Sequence, residues 1–163
     1  MQNTTSDFLE ILRTLSEYKV DFIVVGGVCA VLHGAPMATF DLDVVHSRSA
    51  DNLERLLSAL HTLDAYYRDR PGQRLQPKLS HLASPGHQLF LTRFGPLDIL
   101  GTIGNRLSYS DLITGTVQLQ LDDLELRMLT LESLIDTKRA AGRDKDKAVL
   151  ALLNQTLKEK RKQ

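Results

Sequence analysis

The sequence predicts an α/β (or α+β) fold, in which strand-like and helix-like segments alternate and two helices close the chain. Three observations carry that reading. A β-branched run at residues 22–25 is stopped by Gly26-Gly27 and followed by an apolar stretch suited to a buried helix. Residues 39–45 alternate, so that Asp41 and Asp43 fall on one strand face and Leu42 and Val44 on the other. Apolar stripes at helical spacing, Phe8/Ile11/Leu12/Leu15, Leu53/Leu56/Leu57/Leu60 and Leu131/Leu134/Ile135, separate the strand-like runs.

The elements follow in order. Ser6 or Asp7 can cap a first helix. The glycine pair then turns the chain into a second helix, whose free N–H groups and positive dipole end make an anion site. After Gly34-Ala35-Pro36 comes the Asp-x-Asp strand, where carboxylates roughly 7 Å apart can converge on one cation. Ser49 or Asp51 caps a third helix. Residues 66–84 hold Arg68, Arg70, Arg74 and Lys78 among Pro71, Gly72 and Pro77 with little periodicity. They read either as a solvated surface loop or as a basic arm over phosphates. Tyr66 and Tyr67 are open to stacking on a base or to filling the core edge. His81 and His87 match no usual zinc spacing.

Residues 87–94 alternate as a strand, and Gly95-Pro96 turns into the run Leu97-Asp98-Ile99-Leu100. A lone carboxylate in an apolar strand requires a partner, a metal or a place at the strand edge. Residues 109–113 suggest a short helix. Residues 117–121 and 124–128 form a hairpin turning at Asp122-Asp123. Thr130 caps a helix whose inward stripe includes Lys138, either a snorkelling lysine near a C-terminus or a phosphate ligand facing the acidic strands. Gly142 ends that helix, and Asp144 is expected to cap the last one.

These residues resemble the signature of the nucleotidyltransferase superfamily, the DNA polymerase β-like transferases. In that family Gly-Gly or Gly-Ser at a helix start precedes an Asp-x-Asp strand, with a third carboxylate on a later strand. The likeness runs from about residue 20 to residue 153 and leans toward small single-domain bacterial members of the AbiEii toxin type. It implies a mixed sheet flanked by helices, with a C-terminal helical segment completing the site. It further implies Asp41, Asp43 and Asp98 as catalytic and metal-holding residues, with Mg²⁺ or Mn²⁺ as cofactor. Gly26, Gly27, Thr39 and Lys138 become the expected contacts of a nucleoside triphosphate substrate. The segment LESLIDTKRAAGRDKD matches the part of the toxin-like enzymes in which a lysine contacts nucleotide, whereas Lys145 is expected to matter much less. One departure stands out. The position often held by arginine before the Asp-x-Asp strand is Met37 here, and Arg68, Arg70 and Arg74 are the candidates to compensate.

The implied reaction is transfer of a nucleotide from NTP to a tRNA, a protein side chain or a small molecule, with a cognate antitoxin as a further partner. A degenerate transferase acting as a binding module and a metal-dependent phosphatase are the rival readings. The bulk numbers fit one domain over residues 1–163. Twenty basic and twenty acidic residues cancel, so no global field draws in nucleic acid or membrane. The single cysteine, Cys29, reads as a buried structural thiol in a reducing setting. With no leader-like start and no apolar run near the roughly 20 residues that span a bilayer, a cytoplasmic protein is expected.

Overall fold

The computed structural model describes residues 7–163. Helix α1 (Phe8–Glu17) is capped by Asp7, whose side chain accepts from the Glu10 N–H at 3.3 Å; the alternative cap, Ser6, lies outside the described residues. Strand β1 (Phe22–Val25) is buried at every residue and leads directly into α2 (Gly26–Leu32). Strand β2 (Leu42–His46) and helix α3 (Ala50–Thr62), capped by Ser49, follow. The two-residue strand β3 (Tyr66–Tyr67), the single-turn helix α4 (Leu79–Leu82), and strands β4 (His87–Thr92) and β5 (Gly95–Leu100) form the middle of the chain. Next come α5 (Tyr109–Leu112), a 3₁₀ turn (Ile113–Gly115) and the hairpin β6 (Thr116–Leu121) and β7 (Leu124–Leu129). Helices α6 (Leu131–Ala141) and α7 (Asp144–Arg161) end the chain.

All seven strands join one mixed sheet in the order β3-β4-β5-β2-β1-β7-β6. The pairs β2–β5 and β1–β7 are parallel and the others antiparallel. Helices α1, α3 and α4 pack in sequence on one another, and α2 and α7 pack on α6. The core draws on both sets: Leu12 and Leu15 of α1, Leu56 and Leu60 of α3, and Leu134 and Leu153 of α6 and α7 are all buried. A strand pair covered by helices sheds water from both faces, which is why β1 and β2 read as nearly unbroken apolar runs.

Several local expectations shift. Strand β2 opens at Leu42, so Asp41 lies one residue before it, in the loop that leaves α2. The hairpin turns as expected, with Asp122 in the left-handed region at φ 53°. Gly142 ends α6 at φ 64°, where a side chain would be strained. Asp144 is the first residue of α7 and not its cap; Arg143 occupies the cap position. Its carbonyl accepts from the Asp146 N–H at 2.9 Å, while its guanidinium donates to the Asp146 carboxylate. The expected loop at residues 66–84 is partly ordered by β3, which pairs Tyr67 with Phe90. The Tyr67 ring sits 4.6 Å from that of Phe90 and its hydroxyl donates to Gln88 Oε1 at 2.6 Å. Tyr67 therefore fills the core edge. Among the described residues no helix is long and apolar enough to cross a membrane.

Candidate active site

Strands β2 and β5 lie at the middle of the sheet, and their parallel register sets Asp43 directly beside Asp98. Adjacent residues on paired strands share a face, so the two carboxylates are neighbours through backbone geometry alone. The sequence pattern of one carboxylate in each apolar strand is thereby explained. Asp43 Oδ1 is buried with no hydrogen-bond partner. Burial, then the adjacent Asp98 charge, pushes the Asp43 carboxyl up to about 8, with Asp41 adding to the rise and Lys138 opposing it. Asp41 stands at the rim, its side chain 45% exposed against 14% for Asp98.

The two glycines serve close approach. A Cβ on Gly26 would fall 2.3 Å from Asp43 Oδ2, and one on Gly27 would fall 2.5 Å from Thr39 Oγ1. Gly26 also has φ 67°, so any side chain there is opposed twice. No side chain caps the first turn of α2. Gly26, Thr39, Asp41, Asp43, Asp98 and Lys138 all border one open cleft of about 920 Å³. Gly27 is not on its lining and acts from beneath, seating Thr39. The sequence thus brings together every expected site residue but one.

The opposite wall comes from the α6–α7 junction. Lys138 sits 3.5 Å from Asp146 Oδ1, and Arg143 Nε donates to Asp146 Oδ2 at 2.8 Å. Burial alone would raise the Asp146 carboxyl, but the Arg143 hydrogen bond and the Lys138 charge hold it below the ordinary value. Lys138 is therefore partly engaged by a carboxylate of its own wall while still bordering the cleft. Lys145, expected to matter little, borders the same cleft, as do Arg106 and Arg143. Neither arginine stood out in the sequence; the turn signal Gly104-Asn105 was the one clue to Arg106, which adopts φ 60°.

Arg68 reaches the acidic wall from β4's neighbour. It directly follows β3, its Nη1 donates to the Phe90 carbonyl at 2.8 Å, and its Nη2 lies 2.6 Å from Asp98 Oδ1 and 3.6 Å from Asp41 Oδ2. The approach to Asp98 is a close ion pair without hydrogen-bond alignment. Arg74 instead stacks over the Tyr66 ring at 4.5 Å, and Met37 packs against the core. Among the described residues no three carboxylate, histidine or thiol side chains are gathered into a ready ligand cage. His81 Nδ1 accepts from the Lys78 N–H, and His87 pairs with the Thr102 carbonyl. Cys29 is buried, its thiol pushed up to about 12 by burial, as a structural thiol would be.

No family model and no curated protein matches the chain. Solved structures do. A Thermotoga maritima protein, TM1012, assigned provisionally as a nucleotidyltransferase, superposes with TM-score 0.56 at 14% identity, over 91% of this chain and 93% of that one. The lincosamide antibiotic adenylyltransferase LnuA, in its lincomycin-bound form, superposes with TM-score 0.63 at 13% identity, over 94% and 99%. The fold is that of the nucleotidyltransferases. Within the nucleotidyltransferase fold of this chain, the sheet centre supplies the acidic wall and the two C-terminal helices supply the basic one.

Proposed function

We propose that the chain is a metal-dependent nucleotidyltransferase that moves a nucleotide from NTP to an acceptor. One observation carries the proposal: register-paired carboxylates face a wall of lysine and arginine across a single cleft. A triphosphate with its cation requires both signs of charge at contact range, and the volume suits a nucleotide plus the reacting end of an acceptor.

The donor set fits a divalent cation. Asp43 offers a buried oxygen with no hydrogen-bond partner, Asp98 stands beside it on the paired strand, and Asp41 at the rim could swing in to complete the set. Held by those three residues, Mg²⁺ or Mn²⁺ would neutralise triphosphate oxygens and make an acceptor hydroxyl more acidic. Asp98 accepts the hydroxyl proton. Lys138, with Arg143 and Lys145 along the same wall, offsets charge growing on the departing pyrophosphate. Gly26 and Thr39 border the space where phosphate oxygens would sit, and Phe40, Ile103, Leu134 and Val149 give the cleft an apolar surface for a base or acceptor.

The acceptor is a tRNA, a protein side chain or a small molecule, and the AbiEii-like features of the sequence favour a toxin paired with an antitoxin. The adenylyltransferase LnuA, bound to lincomycin, supports the small-molecule alternative by its fold likeness. A degenerate, non-catalytic module is the second reading, favoured by the Arg68 contacts that already neutralise Asp41 and Asp98. Incubation with each labelled NTP, Mg²⁺ and acceptor pools separates the two. Transfer that is lost in Asp43→Asn and Asp98→Asn supports the enzyme; no transfer to any pool and no NTP binding supports the module.

A further inference from the structure

Arg68 is built into the acidic wall at three points. Its backbone N–H donates to the Leu89 carbonyl at 3.1 Å, its Nη1 to Phe90 at 2.8 Å, and its Nη2 bridges Asp98 and Asp41. The first contact belongs to the β3–β4 edge and fixes the main chain. The others are made by a long side chain with several rotatable bonds, only 26% exposed. Its place is peculiar for a surface loop arginine. Arg74, on the same stretch, stacks on Tyr66 and meets no carboxylate.

Asp98 stands beside Asp43 and near Asp41, neighbouring carboxylates repel one another, and a guanidinium between Asp98 and Asp41 relieves part of that repulsion. A divalent cation on the same oxygens would do so more strongly. The two cannot share them cheaply, because like charges at contact distance in a partly buried site repel steeply. Resting on the metal-dependent reading above, we propose that Arg68 is a displaceable internal counter-ion. Its guanidinium competes with a divalent cation for Asp98 and Asp41, and so sets the cation concentration at which the site loads. Cation entry turns the side chain out of the carboxylate cluster while the β3–β4 pairing keeps the backbone in place. The residue is thus a positioning residue that governs loading and takes no part in bond making.

The test is Mn²⁺ binding to the full chain by calorimetry, without nucleotide. Arg68→Ala should bind Mn²⁺ about tenfold more tightly than wild type, and Arg68→Lys, which keeps a charge but loses the fork, should fall between them. Arg74→Ala should match wild type. Asp98→Asn should lose most of the binding, locating the ion at this wall. If Arg68→Ala and Arg68→Lys both fold, as judged by circular dichroism, and bind Mn²⁺ no better than wild type, the competition is refuted while the metal reading stands. If neither wild type nor any Arg68 variant binds Mn²⁺, both fail together. Should Arg68→Ala unfold, Arg68→Lys decides alone: tighter binding supports the proposal, and equal or weaker binding overturns it.

Discussion

On the β2–β5 wall, Asp43 and Asp98 stand side by side on paired strands, and one Asp43 oxygen has no hydrogen-bond partner. On the α6–α7 wall, Asp146 is more enclosed still, its side chain 3% exposed, yet Arg143 and Lys138 meet both its oxygens. The contrast separates two uses of a buried carboxylate. Asp146 is compensated, so it fastens two helices across the Gly142 turn. Asp43 is left wanting positive charge, an arrangement that weakens the folded chain and suits a ligand that brings the charge with it. The same residue type is structural on one wall and held ready on the other.

The comparison breaks most visibly at Asp146. Asp146→Ala removes the hydrogen-bonded counter-charge that Arg143 and Lys138 share, and should cost about 2–3 kcal/mol, the scale for hydrogen bonds to a charged group. That corresponds to a fall in Tm of roughly 10 °C for a chain of this size, read by thermal unfolding. Asp43→Asn should act in the opposite direction. Removing a carboxyl that must take up a proton to stay buried raises stability by on the order of 1–2 kcal/mol at neutral pH in chelator-treated protein, while abolishing nucleotide transfer. A variant that lost stability as well as activity would show Asp43 to be structural, like Asp146.

On the basic wall, Lys138→Ala should weaken NTP binding by roughly 1–3 kcal/mol, the range for a charge-assisted hydrogen bond. Lys145→Ala should now fall in the same range, because both lysines border the cleft and Lys138 is partly engaged by Asp146. Titration of NTP into each variant distinguishes them; a loss confined to Lys138 would restore the ranking read from helix periodicity. The smallest effect concerns pH. His46 is buried, its Nε2 donates to the Leu82 carbonyl at 2.7 Å, and its Nδ1 has no hydrogen-bond partner. Burial holds it neutral in the folded chain below its ordinary value. The unfolded chain therefore binds a proton first as pH falls through about 6.5, and stability declines there. His46→Gln should flatten that slope in denaturant titrations between pH 7 and 5, leaving the share due to His33, also held low by burial.

Much of the acidic wall was legible because its signals are local. Gly26-Gly27, the Asp-x-Asp run and Asp98 each declare themselves within a few residues, and the strand register joins what the pattern had already marked. The basic wall was half legible: periodicity turned Lys138 inward, but Asp146 was invisible as its partner. At the Arg143-Asp144 junction cap propensity favours an Asp, whereas the helix opens at Asp144 and Arg143, at the cap position, is held there by its bond to Asp146. Arg68 was one of three loop arginines until β3 paired with β4. No local pattern records a contact between residues 68 and 98, since the sheet edge brings them together across thirty positions. Arg106 depends on a turn closed between Ile103 and Leu107, equally silent in composition.

The central claim is that the two walls together hold a nucleoside triphosphate with its cation. Thermal unfolding of the wild type and of Asp98→Asn, with and without Mn²⁺, against each of the four NTPs at millimolar concentration, tests it most directly. At least one NTP should raise the wild-type Tm by several degrees only when Mn²⁺ is present, and Asp98→Asn should show no such rise. No shift with any NTP, or an equal shift in both proteins, would contradict it.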